Sequence, residues 1–396
     1  MKAAWPRVKL AKCVDLLPGF AFKSGQFTNN PNDVPLVKGE NVSQGSILWD
    51  ISKRWSGLDW EKLEKFHLLP GDVVVAMDRP WVPAGLKWAF IREGDPKALL
   101  VQRCARLRSM NGDLDQIFLR FVIGGPDFEN YVKPITTGVN VPHISGQQIL
   151  DFELKLPPLP AQRRIAGILS AYDELIENNQ RRIKILEEMA RSLYREWFVK
   201  FRFPGHDKVK MVSSSLGLIP QDWEIKAVKE VLARRPAGQV YREEDVALEG
   251  AVPVIDQSTN ELLGFHDNEP DHLATPENPI AIFGDHTCKM QLFVEPFSIG
   301  PNVVAFSVNI DRPISYLFHI VRSLIQTQEY KRHWTQLTAK EIVLAEKSTA
   351  KHFATAIQPS LQQAEMLRKA SRVLRRTRNL LLPRLLSGEV SLTYAA

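Results

Sequence analysis

From Ile165 to Trp197 the chain places a seam residue alternately four and three positions on: Ile165, Leu169, Tyr172, Ile176, Asn179, Ile183, Leu186, Ala190, Leu193 and Trp197. Only Asn179 departs from its apolar and aromatic character. Two positions in seven make a stripe too narrow for an ordinary globular helix face, so a seam that holds its phase this long requires a partner helix. A helix of about 38 residues from Pro160 to Phe198 spans roughly 57 Å at 1.5 Å per residue, enough to hold two domains apart. One polar residue in such a seam commonly fixes register, which gives Asn179 a role.

There is chain for those domains. The 396 residues are 44% hydrophobic and 24% charged, a globular composition with length for two or three domains. The formal charge of +6 permits a polyanionic partner without demanding one. Cys13, Cys104 and Cys288 are too few and too scattered for a disulfide framework or a cysteine metal site, which fits a reducing cytoplasm. No run approaches 18 apolar residues, so the expectation is a cytoplasmic protein with no membrane partner.

Before the seam, short apolar runs alternate with turns. Val34–Val37, Asp72–Ala76, Leu99–Val101 and Cys104–Leu107 read as strands, and Leu114–Ile123 as a helix stopped at Gly124-Gly125-Pro126. Pro157, Pro158 and Pro160 stiffen the approach to the long helix. After Pro204-Gly205 and a serine-rich loop the outline repeats. Trp5, Leu10 and Val14 are matched by Trp223, Val228 and Leu232, and Val34–Val37 by Val252–Ile255. Ile280–Phe283 then stands for Val73–Ala76, and Gly300–Val303 for Gly138–Val141. A second long helix is expected from about Thr349 to Ser387, with Leu367, Ala370, Leu374, Thr377 and Leu381 on its seam, Ile357, Leu361 and Ala364 in another phase, and Pro359 and Pro383 each disturbing it. The expected organisation is α+β: two tandem mixed domains, residues 1–156 and 204–345, and two long helical segments, residues 157–203 and 346–396, pairing as an antiparallel coiled coil.

Catalytic signatures are missing. The sequence holds no Walker phosphate loop, dinucleotide fingerprint, His-Glu-x-x-His or paired Cys-x-x-Cys, and no Asn/Asp-Pro-Pro-aromatic tetrad. Asp127, Glu153 and Lys155 fit the loose acidic pattern of a metal-dependent nuclease, an alternative reading. His266, His272 and His286 with Cys288 match no recognised ligand frame, so no metal is expected.

The loops do carry nucleic-acid chemistry, since Arg and Lys suit guanine or phosphate and Asn and Gln suit adenine. The candidates are Lys23, Asn41, Arg79, Trp81, Lys87, Thr137 and Asn140 in the first domain. In the second they are Gln257, Thr259, Asn260, His286, Thr287, Lys289 and Asn302. On the last helix Arg368, Lys369, Arg372, Arg375, Arg376 and Arg378 form a basic run suited to phosphates or an acidic partner.

Leu68–Ala76, Thr137–Pro142, Leu156–Ile165 with its Pro-Pro-x-x-x-Gln-x-x-Ile pattern, and Leu381–Val390 together resemble the specificity subunit of type I restriction-modification systems. The chain departs from that pattern at Leu344–Ser348, where a proline-rich lead into the second helix is common, and at Ala161, where an acidic residue is common. The resemblance implies two target recognition domains, each reading half of a split duplex DNA site, with the helices as spacer. It further implies no catalytic centre or cofactor in this chain. S-adenosylmethionine, ATP and magnesium belong to the partners: methyltransferase subunits, two per chain, and restriction subunits. A third reading from the residues alone is a coiled-coil adaptor that binds only proteins.

Overall fold

The computed structural model describes residues 5–82, 85–136, 142–247, 249–258, 262–325 and 332–390. By contact the chain forms two compact units, residues 1–176 with 373–396, and residues 177–372, so each long helix contributes one part to each unit.

In the first unit the central strand is Val73–Ala76, within a five-stranded sheet ordered Val14–Pro18, Cys104–Ser109, Val73–Ala76, Trp88–Phe90, Gln44–Gly45. All four central residues are fully buried, because the sheet is covered on both faces. Val73 and Val75 point into a core built with the helices Gln116–Ile123 and Pro126–Ile135, while Val74 and Ala76 point into a second core with Val37 and Leu100. A four-stranded sheet, Arg54–Trp55, Val34–Val37, Ala98–Leu100, His67–Leu68, supports the far side. The Gln116–Ile123 helix starts where Asp115 accepts from the N–H groups of Ile117 and Phe118 and stops at Gly124.

The second unit repeats this plan. Its larger sheet runs Leu232–Arg235, Val303–Val308, Ile280–Gly284, Met290–Phe293, with Ile280–Gly284 in the central place of Val73–Ala76. Its smaller sheet pairs Val252–Ile255 parallel with Ser298–Ile299, as Val34–Val37 pairs parallel with Ala98–Leu100 in the first unit. In each unit a short strand, Arg7–Lys9 or Glu224–Ala227, lies antiparallel to the strand that leads into a long helix, Glu153–Lys155 or Glu341–Leu344. One match from sequence changes. The carbonyls of Arg103 and Asn302 accept from the N–H of the residue after each central strand, Met77 and Asp285, both at 2.8 Å. Asn302 therefore corresponds to Arg103, in the turn just before the strand Val303–Val308, while Asn140, its match by sequence, lies outside the described residues.

The long helices are Leu159–Tyr194, followed by a wide turn at Arg195–Val199, and Lys347–Leu386. On the first, Ile165, Leu169, Ile176, Asn179 and Ala190 are buried, and Tyr172, Ile183, Leu186, Leu193 and Trp197 half-buried. The second runs unbroken through Pro359 and Pro383. Each proline removes one backbone donor, yet each is flanked by buried seam residues, Ile357 before Pro359 and Leu385 after Pro383. Its buried row keeps a single phase: Ala350, Phe353, Ile357, Ser360, Ala364, Leu367, Ser371, Leu374, Arg378, Leu381 and Leu385 are each buried or half-buried. The phase break expected from the sequence is absent, and Ala370 is exposed. Ser371 takes the place given to Ala370 because its hydroxyl donates to the Leu367 carbonyl at 2.8 Å. Arg378 takes that of Thr377 by reaching Asp173 of the first helix at 2.5 Å.

Pairing is antiparallel within each unit. In the first, Ile165, Ala166 and Leu169 share a core with Leu385. In the second, Ala190 shares one with Ala350, Phe353 and Ile357, and the Trp197 and Phe353 rings lie 6.0 Å apart. Two family-like motifs acquire causes here. Fully buried Gln162 donates to the carbonyls of Asp113 and Pro157 and accepts from the N–H of Asp115, fixing the helix start. Gly388, at φ 75°, lies where a Cβ would come 3.2 Å from the Trp5 ring.

Candidate nucleic-acid interface

The same end of the larger sheet gathers polar loops in both units. In the first, the central strand delivers Met77–Lys87, which includes a hairpin of Trp81–Val82 with Gly85–Leu86. Asp78 accepts from Arg103 at 2.5 Å and contacts His143 Nδ1 at 2.7 Å. Burial opposes its charge, but those hydrogen bonds outweigh burial and hold the carboxyl below its ordinary range. Exposed Arg79 has φ 45°, and its N–H donates to the Pro142 carbonyl at 2.6 Å. The half-buried Lys87 ammonium donates to the Gly39 carbonyl, and burial lowers its pKa.

In the second unit, Ile280–Gly284 delivers Asp285–Lys289. The N–H of His286 donates to Gln257 Oε1 at 3.1 Å, and exposed Thr287 donates through its hydroxyl to the Gln257 carbonyl at 2.9 Å. Lys289 Nζ donates to the carbonyls of Asp256 at 3.1 Å and Ser258 at 2.6 Å. Asp285 accepts from the N–H groups of His333 and Trp334 at 2.9 and 2.8 Å. Beside it a groove of about 270 Å³ is lined by Arg234, Asn302, Arg332 and Thr335.

Lys87 and Lys289 hold equivalent posts, each just before the strand next to the central one. Each ties the loop following the neighbouring sheet's strand to the post-strand loop. Both are first of all positioning groups, and no sequence signal distinguished that role from a phosphate contact.

Lys23 is exposed at the start of a short turn, Ser24–Gln26. Trp81, 38% exposed, donates to Glu129 at 3.0 Å and lies under the Lys133 ammonium. Asn302 is exposed at φ 60°. Asn41 is corrected: it is fully buried, accepts from the Lys38 N–H, and donates to the Leu36 carbonyl and Ser52 hydroxyl. Its amide closes a loop and presents nothing to a ligand. Thr137, Asn140, Thr259 and Asn260 lie outside the described residues. Arg103 and His143 were missed, because nothing local in the sequence places them beside Asp78.

The other readings find less support. Asp127, Glu153 and Lys155 do line one groove, of about 650 Å³, together with Asp151. Asp151 is engaged by Lys9 at 3.0 Å, and no group of three or more His, Cys, Asp or Glu able to hold a metal occurs among the described residues. His266 stacks on Tyr241 and bonds Ser298, while buried His272 lies tilted against the Phe297 ring at 5.0 Å. The basic run is largely drawn into ion pairs: Arg368 with Glu187 and buried Glu365, Lys369 and Arg372 with Glu295, and Arg378 with Asp173. No helix among the described residues is long and apolar enough to cross a membrane.

Residues 4–188 match the family model described as type I restriction modification DNA specificity domain. The type I restriction enzyme MjaVIII specificity subunit of Methanocaldococcus jannaschii is 28% identical over 48% of this chain and 44% of its own length. The EcoAI specificity subunit of Escherichia coli is 31% identical over 44% of the chain and 28% of its own length. The chain thus spans less than half the length of these two relatives. The MjaIX specificity subunit of M. jannaschii is 23% identical over 69% of the chain and 68% of that subunit. In fold, the crystal structure of the type I restriction-modification system S subunit from M. genitalium superposes with a TM-score of 0.57 at 16% identity, covering 96% of each chain. By the family model over residues 4–188, by these relatives and by fold, the chain is similar to the specificity subunits of type I restriction-modification systems.

Proposed function

We propose that this chain is the sequence-reading subunit of a type I restriction-modification complex, each unit recognising one half of a bipartite duplex DNA site. The observation that carries the reading is the duplication: two copies of one fold present polar loops at the same end of the same sheet. In each copy a lysine and an aspartate brace those loops from below. Braced loops on a rigid sheet are the arrangement expected of a reader, since precise placement of donors and acceptors separates one base edge from another.

On this reading the chain has no catalytic centre of its own and binds no cofactor. Methyltransferase subunits, two per chain, would bring S-adenosylmethionine and act on an adenine flipped from the stack. Restriction subunits would bring ATP and magnesium, and the assembly would work in the cytoplasm on chromosomal DNA. The test is a binding titration of the chain complexed with its methyltransferase, comparing the motif found methylated in the host genome with random duplex across salt concentrations. A preference of about 1,000-fold or more is expected for specific recognition, with affinity falling as salt rises. Equal affinity for both duplexes refutes the reading.

A further inference from the structure

Arg103 and Asn302 stand at the same point of the two copies. Each precedes the strand paired with the central one, Cys104–Ser109 or Val303–Val308. Each carbonyl accepts from the residue after the central strand at 2.8 Å. Each adopts a left-handed backbone, φ 66° and 60°. Glycine takes that conformation without steric cost, arginine takes it at a cost of order 1 kcal/mol or more because its Cβ crowds the backbone, and asparagine takes it more readily. The strain at Arg103 points to a side chain that is needed there, and Asn302 places a polar side chain at the same point of the second copy.

Both side chains face solvent at the polar end. Arg103 is 65% exposed and is steered by Asp78, whose carboxylate is itself fixed by His143 at 2.7 Å. A guanidinium leaning on a carboxylate keeps its remaining N–H donors in one plane, suited to the paired acceptors O6 and N7 of guanine. Asn302 offers an amide, the group that pairs with N6 and N7 of adenine. Beside it lie Arg332 and Thr335, lining the same groove.

Resting on the reading of the chain as a DNA reader, we infer that this left-handed position is a specificity-determining site in both units: Arg103 reads a G·C pair in one half-site and Asn302 an A·T pair in the other. Asp78 is a positioning residue for Arg103.

The experiment selects bound sequences from a randomised duplex library, using the complex of the full chain with its methyltransferase, for wild type, Arg103→Lys and Asn302→Gly. Lysine keeps the charge and loses the fork; glycine suits the backbone and removes the amide. Arg103→Lys is expected to lose about 5- to 100-fold of discrimination at one G·C position of one half-site, leaving the other half-site unchanged. Asn302→Gly is expected to do the same at an A·T position in the other half-site. Asp78→Asn should weaken the Arg103-dependent position alone. If wild type selects a bipartite motif and both variants select it with every position intact, the inference is overturned while the DNA-reading function stands. If wild type selects no motif, the function itself fails. A variant that loses its whole half-site, with an unchanged thermal transition, also overturns the one-position assignment.

Discussion

Gln162 is the test of how the first long helix is set in place. Its carboxamide makes three hydrogen bonds, to the Asp113 carbonyl at 2.8 Å, the Pro157 carbonyl at 2.8 Å and the Asp115 N–H at 2.7 Å. Asp115 in turn caps the Gln116–Ile123 helix, so one amide joins the starts of two helices. Replacement by leucine, near in volume, leaves the packing and removes all three bonds. At about 1 kcal/mol net for each, with the larger penalty falling on the buried Pro157 carbonyl, the loss should be about 3 kcal/mol. Exposed Arg163 beside it, replaced by alanine, should change stability by less than about 0.5 kcal/mol and serves as the control. Urea unfolding of the full chain, paired with hydrogen exchange at the Ile117 and Phe118 amides, measures both the size and the place of the loss. A Gln162→Leu loss below about 0.5 kcal/mol, or exchange unchanged at those amides, would refute the argument.

Other perturbations follow from the same geometry. Gly388→Ala forces a Cβ to 3.2 Å from Trp5 at φ 75°, and should cost about 1–3 kcal/mol in the first unit by thermal melting. His319 is buried against Tyr194 and Phe353, and burial pushes its pKa down to about 3. Its folded pKa lies below the unfolded one, so its contribution is fully present above about pH 6.5 and declines as pH falls toward 3, by up to about 1.4 kcal/mol per pH unit. His319→Phe should flatten that slope in melts taken between pH 7 and 4. Asn179→Leu should raise the melting temperature while loosening helix register, and unchanged cross-linking between engineered cysteines on the two helices would count against a register role. Inserting one heptad in both long helices adds about 10 Å to each, and library selection should return a longer spacer between unaltered half-sites.

Much of the plan could be read from residue order. A heptad seam can be read whatever surrounds it, because its 3.5-residue spacing is written along the sequence. Runs such as Val73–Ala76 announce strands covered on both faces, and the fixed offset of 218 residues between Val34 and Val252 exposes the duplication. The second seam was harder to see. Ser371 and Arg378 break an apolar pattern, and their fitness for a seam depends on a carbonyl one turn back and on a carboxylate from a helix about 200 residues away.

The site followed the same division. Polar loops after the central strands were visible in the sequence, since their residue types and their place after a strand are local facts. Which of those residues keep a side chain exposed was not. Asn41 is spent on closing its loop, and Lys87 and Lys289 on bracing theirs. Arg103 gained its place from a backbone angle and from Asp78 across a sheet. Periodicity and duplication are set by neighbours along the chain, so the sequence alone determined the paired helices and the two like domains. Hydrogen-bond partners and left-handed backbone are set by neighbours in space, and only the tertiary structure decided which polar side chains stay exposed at the loop end of each sheet.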